Sequence, residues 1–185
     1  MINLDNFTKI LTGKFDNSEQ FEEMKKNGRS DFPFARHVNT VCNDKIKNIP
    51  EDFPGIFIVE ESYYTTNGNT HSSPHLFLFT PDGKDIILSS YDTPEGYDKN
   101  TFTYDKLGEV EFDSLKESTK FVPARYVLKD GVWEGGSESM FSPVLKFTLF
   151  ERFSEEMLEV SETMEVNGKR TFGYDEPIIY KRVQE

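Results

Sequence analysis

Three side chains in the sequence, Glu60, Tyr63 and His75, are of types that take part in proton transfer or ligand binding. Residues 55–64 form a largely apolar run and predict a β-strand, in which successive side chains point to opposite faces. Glu60 therefore shares a face with Ser62, whereas Tyr63 points to the other face. In a closed interior the Glu60 carboxylate could act as a general acid or base. On the surface it is simply one of 33 acidic residues.

The three histidines and the single cysteine form weaker patterns. His71 and His75 are four residues apart, but Pro74 between them argues against a helix that would place both on one face. A metal site would also need His37 from a separate segment, so no metal is predicted. Cys42 has no neighbouring pattern typical of a catalytic cysteine, and a buried apolar role is the better interpretation.

Strands are the elements that must position these side chains. Asn-Gly and Asp-Gly dipeptides at 67–68, 82–83, 130–131 and 167–168 each separate two apolar or alternating runs, which predicts β-hairpins. A sheet of nine or ten antiparallel strands has exposed edges, and closure into a barrel removes them. A two-sheet sandwich is the alternative. The predicted strands are 34–42, 55–64, 74–80, 84–91, 122–129, 132–138, 144–152, 156–166, 169–172 and 177–183.

Apolar alternation in two of these strands indicates which side chains face the barrel interior. Strand 144–152 predicts an inward series, and strand 156–166 predicts another. The least regular segment, 92–120, is expected to contain one strand and a helical turn. The inward series are Leu145, Phe147 and Leu149 in the first strand, and Leu158, Val160, Met164 and Val166 in the second.

Two short helices are predicted before the strands. Leucine, phenylalanine and isoleucine recur at helical spacing over 3–12, and Gly13 ends this helix. Asn17 and Gln20 have the spacing of a capping pair, so a second helix is predicted from there through Lys26. The predicted fold class is therefore mostly β, a calycin-like or lipocalin-like antiparallel barrel with two short N-terminal helices, in a single domain over residues 1–185.

Composition limits the partners. The formal net charge of −12 opposes binding to nucleic acid and to anionic membrane surfaces. The first residues lack a basic stretch followed by an apolar one, so no secretory signal is expected. With one cysteine no internal disulfide can form, which fits a cytoplasmic location. Gly135-Gly136-Ser137 lacks the strand–turn–helix setting of a phosphate loop, and no cofactor is predicted.

Several segments together resemble the CpcT/CpeT-type chromophore lyases. Phe15-Asp16-Asn17-Ser-Glu-Gln20 is similar to the family's Phe-Asp/Ser-Asn-x-x-Gln, and Val59-Glu60-Glu61-Ser62-Tyr63 is similar to its Val-Glu-Gln-Ala-Tyr. Phe172-Gly173 followed by Pro177-Ile-Ile-Tyr180-Lys181 is similar to its closing Trp-Gly and Gly-Pro-aromatic strand. The resemblance implies a calycin-like barrel that attaches a bilin to a cysteine of a light-harvesting acceptor protein, without a metal.

The resemblance also implies a set of site residues. Glu60 and Tyr63 match the family's Glu and Tyr, and His75 stands where the family has tyrosine, so these three are the catalytic candidates. The family's Pro-Tyr-Arg-x-Arg is replaced here by Pro74-His75-Leu-Phe-Leu78, which removes two arginines suited to bilin propionates. Arg36 and Arg125 are candidates to replace them from other strands, and Trp133 is a candidate to line the barrel mouth.

Three functions remain open from the sequence. The first is a lyase-like barrel that binds an apolar or tetrapyrrole-like molecule and assists its attachment to a partner cysteine. The second is a non-catalytic carrier or sensor with the same barrel. The third is an interaction module whose lumen is filled by large side chains, since a barrel of about eight strands is only just wide enough to hold them.

Overall fold

The computed structural model describes residues 4–184, so the first residue of the predicted helix 3–12 lies outside the described residues. The helices are α1 (Leu4–Leu11) and α2 (Ser18–Lys26). Neither is long and apolar enough to cross a membrane. The strands are β1 (Gly13–Asp16), β2 (Phe34–Val41), β3 (Ile46–Lys47), β4 (Ile56–Thr66), β5 (Asn69–Asp82), β6 (Asp85–Tyr91), β7 (Val110–Glu111), β8 (Ala124–Lys129), β9 (Val132–Ser142), β10 (Leu145–Phe153), β11 (Leu158–Val166), β12 (Lys169–Phe172) and β13 (Ile178–Arg182).

Ten strands close into one antiparallel barrel. Hydrogen-bonded neighbours follow the order β10, β9, β8, β6, β5, β4, β2, β1, β13 and β11, and pairing of β10 with β11 closes the ring. β11 pairs with β13 near its start and with β12 near its end. β12 is thus an additional strand at the rim, outside the ring of ten. The closed ring confirms the predicted calycin-like barrel and excludes the sandwich.

The hairpin turns explain why the strands pair as predicted. Asn67, Asp130 and Asn167 have φ angles of 51°, 49° and 51°, and each precedes a glycine that also has positive φ. Both central residues of a type I′ turn need this left-handed conformation, and its twist matches the twist of the flanking strands. In the fourth hairpin Asp82 pairs with Asp85, so Gly83 is the first central residue of the turn.

Helix α1 closes one end of the barrel. Phe7 is fully buried, and its ring lies 5.2 Å from that of Phe79, 5.0 Å from that of Trp133 and 5.1 Å from that of Phe153. These three partners lie at the ends of β5, β9 and β10 that face away from the 67–68 turn. The Arg182 guanidinium donates to backbone carbonyls at the C-terminal end of α1, which fixes the helix against β13. The opposite end of the barrel is its mouth.

Two details of the N-terminal region differ from prediction. Gly13 begins the short strand β1 and does not simply end a helix, and this strand was not predicted. Asn17 occupies the N-cap position of α2, but its side chain makes no cap hydrogen bond. Its Nδ2 donates instead to the Pro33 carbonyl at 3.0 Å, and its Oδ1 accepts from the Ala35 N–H at 2.8 Å.

Gln20 has a similar bridging role on the other side of β1. Its Nε2 donates to the Pro177 carbonyl and its Oε1 accepts from the Ile179 N–H, both at 2.8 Å. The predicted capping pair is therefore wrong. A side-chain amide can donate one hydrogen bond and accept another at the same time. The amide of Asn17 bonds backbone groups at the start of β2, and the amide of Gln20 bonds backbone groups at the start of β13, so both connect α2 to the barrel strands.

Segment 92–120 covers the outer face of the barrel at β4 and β5. It contains β7 and one 3₁₀ turn, as predicted, and β7 pairs in parallel with β3. Cys42 is fully buried beneath it, and burial raises the pKa of its thiol to about 12, which agrees with an apolar role. This segment and the outer face of the barrel enclose a hydrophobic core that is separate from the barrel interior. It consists of Cys42, Ile46, Phe57, Val59, Leu76, Leu78, Phe102 and Leu107.

Candidate functional site

A polar layer crosses the middle of the barrel. Glu60 points inward from β4 and is 7% exposed. Its Oε1 accepts a hydrogen bond from the Ser62 hydroxyl at 3.1 Å, and the same hydroxyl lies 3.2 Å from His37 Nε2. His37 Nδ1 is 3.8 Å from the other Glu60 oxygen, too far for a hydrogen bond. A carboxyl and an imidazole thus face each other inside the barrel without a direct bond.

Two further glutamates point into the same interior, one from β10 and one from β11. Glu151 is buried and accepts a hydrogen bond from the Tyr126 hydroxyl. Glu162 is half-buried, and its Oε2 accepts from the Tyr64 hydroxyl at 3.1 Å. The acid cluster, defined as Glu60, Glu151 and Glu162, is therefore held on three different strands and satisfied mainly by hydroxyl donors.

Burial and mutual repulsion change the protonation of the acid cluster. Burial, followed by the charges of Glu151 and Glu162, raises the pKa of Glu60 well above its ordinary value. Burial raises the pKa of Glu151 to about 7, and burial also raises the pKa of Glu162. Like charges in a low-dielectric interior cannot all ionise without cost. Near neutral pH the cluster therefore retains protons that exposed glutamates would lose, and it can donate as well as accept hydrogen bonds.

The two histidines in this interior are neutral at pH 7. Burial lowers the pKa of His37 to about 3 and that of His75 to about 4. The ring of His75 stacks on that of Phe77 at 5.3 Å, and its Nε2 lies 3.1 Å from the Ser73 hydroxyl. Neither histidine supplies a positive charge to balance the acid cluster.

Several buried polar atoms of the interior have no hydrogen-bond partner among residues 4–184. Tyr180 is fully buried and its hydroxyl is one of them. Burial, followed by the charge of Glu162, raises the pKa of Tyr180, so this hydroxyl lies in the field of the acid cluster. Unpaired buried groups are rare and mark places where a ligand or water can bind. The others in the interior are His37 Nδ1, Asn39 Oδ1 and Trp133 Nε1.

Above the polar layer, the mouth of the barrel contains a cavity of about 270 Å³, here called the mouth cleft. Phe121, Phe141 and Phe147 form one wall, with ring centroids 4.9 to 5.6 Å apart. The inward polar residues of its lining include His75 and Glu162. The full lining is Tyr64, His71, Ser72, Ser73, His75, Phe121, Phe141, Phe147, Glu162, Met164 and Phe172.

The structure separates the three predicted catalytic residues. Glu60 and His75 are paired across β4 and β5 and face the interior. Tyr63 lies on the outer face, as strand alternation requires once Glu60 is inside. Its hydroxyl donates to Glu61 Oε2 at 2.6 Å, and it borders a separate outer cavity of about 200 Å³ next to residues 99–106. The structure therefore does not bring Tyr63 together with Glu60 and His75.

The three predicted ligand-binding residues lie away from the mouth cleft. Arg36 is exposed on the outer face, with its guanidinium 5.0 Å from the centroid of the Tyr63 ring. Arg125 is also outside the barrel, where it forms ion pairs with Asp82 and Asp85. Trp133 is buried at the closed end beneath α1. None of the three can contact a molecule in the cleft without rearrangement of the barrel.

Glu151 and Glu162 were missed by the sequence reasoning, although a signal for both was present. Residues 145, 147 and 149 form the inward series of β10, and 151 is the next position of that series. Residues 158, 160, 164 and 166 were predicted to face inward, and 162 is the position left out. An acidic residue in phase with an inward apolar series predicts a buried carboxylate.

Models of known protein families and curated protein sequences gave no match to this chain. In the part of the chain that the structure describes, no three or more His, Cys, Asp or Glu side chains are grouped so that they could hold a metal ion. The fold and site define a closed ten-stranded barrel with a polar middle layer, an aromatic mouth and one plugged end. Chemically, this arrangement can surround an apolar molecule and offer it carboxyl and imidazole groups.

Proposed function

We propose that the protein is a non-catalytic carrier or sensor that binds a small, mainly apolar molecule in the mouth cleft. One observation supports this above the others: aromatic side chains surround a cavity and remain partly open to solvent. Phe172 is 41% exposed, and Phe121, Phe141 and Phe147 are half-buried. Clustered exposed apolar surface is unfavourable in water and is typical of binding sites. The cavity of about 270 Å³ is close to the smallest ligand sites, which begin at about 300 Å³.

A neutral fluorescent dye tests this proposal. Nile red should bind with saturable, one-to-one fluorescence enhancement, because its apolar rings can displace water from the aromatic lining. Phe172→Ser should weaken binding about three- to tenfold, since it removes one wall of the cleft from the exposed strand β12. The measurement is a fluorescence titration.

Phe150 provides a matched control for this titration. It is 44% exposed, similar to Phe172, but lies on the outer face of β10. Phe150→Ser should leave the affinity unchanged. Equal losses in the two variants would indicate non-specific adsorption, and no saturable binding at all would favour the interaction module with a filled lumen.

Attachment of a linear tetrapyrrole to a partner cysteine is the second candidate function. The resemblance to chromophore lyases supports it, and so does the acid cluster, because its carboxyl groups suit pyrrole N–H donors. In this reaction a cysteine thiol adds across an exocyclic double bond of the pigment. The carbon–sulfur bond forms at one carbon, and the proton ends on the neighbouring carbon. Glu60 or His75 would transfer that proton, and the barrel would hold the pigment in position.

Transfer of phycocyanobilin to a pigment-free antenna protein tests the second candidate. We expect pigment that stays on the acceptor after acid denaturation, and lower yields with Glu60→Gln and His75→Ala. Circular dichroism should show that both variants remain folded. Absence of covalent pigment with the unsubstituted protein, in a preparation that binds Nile red, would leave the carrier or sensor as the function.

A further inference from the structure

The aromatic lining of the mouth cleft has a geometry suited to a positive charge. Phe121 meets Phe141 edge to face at 4.9 Å and 81°, and it meets Phe147 at 5.6 Å and 89°. Tyr64 and Phe172 meet at 6.5 Å and 84°. Rings turned at right angles present both faces and edges to the space between them. The face of an aromatic ring attracts a cation, and groups of such rings bind quaternary and protonated amines.

A carboxylate lies within the same lining. Glu162 accepts a hydrogen bond at Oε2 from Tyr64, while no described residue donates to Oε1. The fully buried Tyr180 hydroxyl, which is close to that of Tyr64 but makes no hydrogen bond of normal geometry within residues 4–184, lies in the field of this carboxylate. Glu162 can therefore form an ion pair with a ligand and keep its bond to Tyr64.

Lysine and arginine side chains do not compete for this carboxylate. No lysine or arginine of the described chain lines the cleft. Lys146, on the neighbouring strand β10, points outward and pairs with Glu165 at 2.6 Å. The other members of the acid cluster, Glu60 and Glu151, lie behind Glu162 and bring no positive charge. An ammonium group beside Glu162 would favour the ionised form of its carboxyl group and pair with it, whereas a ligand carboxylate would meet no counter-ion there.

From these contacts we infer that the mouth cleft selects organic cations, that is, apolar molecules with a protonated amine or quaternary ammonium group, and rejects molecules of the same shape that have a carboxylate. This inference rests on the proposed binding of a small molecule in the cleft. It specifies the chemical class of that molecule, which the apolar lining alone does not.

Three ligands of similar size test the inference. These are 3-phenylpropylamine, 3-phenylpropan-1-ol and 3-phenylpropionate, which differ mainly in the charge of one end group. Each is used to displace Nile red at pH 7.5. The amine should bind about tenfold more tightly than the alcohol, because a cation–π contact and an ion pair are added, and the carboxylate should bind more weakly than the alcohol.

Two glutamine variants separate a local effect from a general charge effect. Glu162→Gln should reduce the preference for the amine over the alcohol from about tenfold to about threefold, because the cation–π contact remains, and should leave alcohol binding unchanged. Glu165→Gln removes the same charge from the outer face of the same strand and should leave the preference intact. Circular dichroism and the retained affinity for Nile red show that each variant is folded.

The outcomes distinguish this inference from the proposed function. If Nile red binds but the amine displaces it no better than the alcohol, or if Glu162→Gln leaves the amine preference intact, cation selectivity is wrong and apolar binding stands. If Nile red itself fails to bind saturably, the proposed function and the inference are both wrong.

Discussion

Replacing Phe7 with alanine should lower the free energy of unfolding by about 3 to 5 kcal/mol. Phe7 is fully buried where α1 closes the barrel, and its ring contacts those of Phe79, Tyr126, Trp133 and Phe153 at centroid distances of 5.0 to 5.9 Å. Truncation leaves a cavity bounded by rigid strands that cannot collapse into it. The loss therefore includes the transfer free energy of the ring and the cost of the cavity.

Denaturant unfolding of Phe7→Ala, followed by circular dichroism, measures this effect. The matched control is Phe150→Ala, which removes an equally large ring that is 44% exposed and should change stability by at most about 0.5 kcal/mol. Emission of Trp133 should also shift to the red in Phe7→Ala, because water gains access to the closed end. A loss below about 1 kcal/mol would mean that α1 does not close the barrel in solution.

The second large expected effect is a change in the pH dependence of stability when Glu151 is replaced by glutamine. Burial raises the pKa of Glu151 from 4.5 to about 7, so between these values the folded protein binds more protons at this site than the unfolded chain does. The stabilisation from Glu151 is complete below about pH 4.5 and is lost as pH rises through about 7. Glu151→Gln removes this dependence. The stability of the variant relative to the unsubstituted protein should therefore increase by about 2 to 3 kcal/mol between pH 5 and pH 8.

The quantity to measure is the difference in the free energy of unfolding between Glu151→Gln and the unsubstituted protein, because other groups in the interior also titrate. Burial raises the pKa of Glu60 and of Glu162, so their stabilisation is likewise lost as pH rises. Burial lowers the pKa of His37 and of His75, so the stability that these neutral histidines contribute is lost as pH falls below about 6.5. This pH dependence has the opposite sign to that of the glutamates. Tyr64, Tyr126 and Tyr180 have raised pKa values and remain neutral throughout this range.

Unfolding in denaturant at pH 5 and pH 8 gives the four free energies that this comparison needs. Glu155→Gln changes the same functional group in the exposed turn between β10 and β11 and is the control for the loss of one acidic side chain. A constant difference between Glu151→Gln and the unsubstituted protein at both pH values would show that Glu151 is ionised equally in the folded and unfolded states.

Most of the fold could be predicted because its determinants are local. The left-handed residues Asn67, Asp130 and Asn167 precede glycines, and such pairs specify hairpins without reference to the rest of the chain. β1 could not be predicted in this way. It has only four residues, and Gly13 is also a common helix stop. The amide of Asn17 was misassigned because its partners, in residues 33–35, become neighbours only when the barrel closes.

The site was only partly predictable. The alternation of side chains along a strand predicts that Glu60 and Tyr63 point to opposite faces of β4, and the structure confirms this. Arg36 and Arg125 are candidate replacements for the missing cations, but strand alternation points both outside the barrel. There Arg36 lies over the Tyr63 ring, and Arg125 forms ion pairs with Asp82 and Asp85. The contact of Glu162 with Tyr64 spans 98 positions of sequence, and only strand order and register reveal it.

Because α1 seals one end of the barrel, any molecule held in the mouth cleft has a single passage to solvent. Entry and exit must use the same aromatic rim, so one occupant has to leave before the next can bind. Exchange therefore proceeds by dissociation followed by association, and a competitor at high concentration cannot accelerate release. The lifetime of a complex is then determined at the rim, and changes to the short strand β12 offer a way to alter it while the ring of ten strands is left intact.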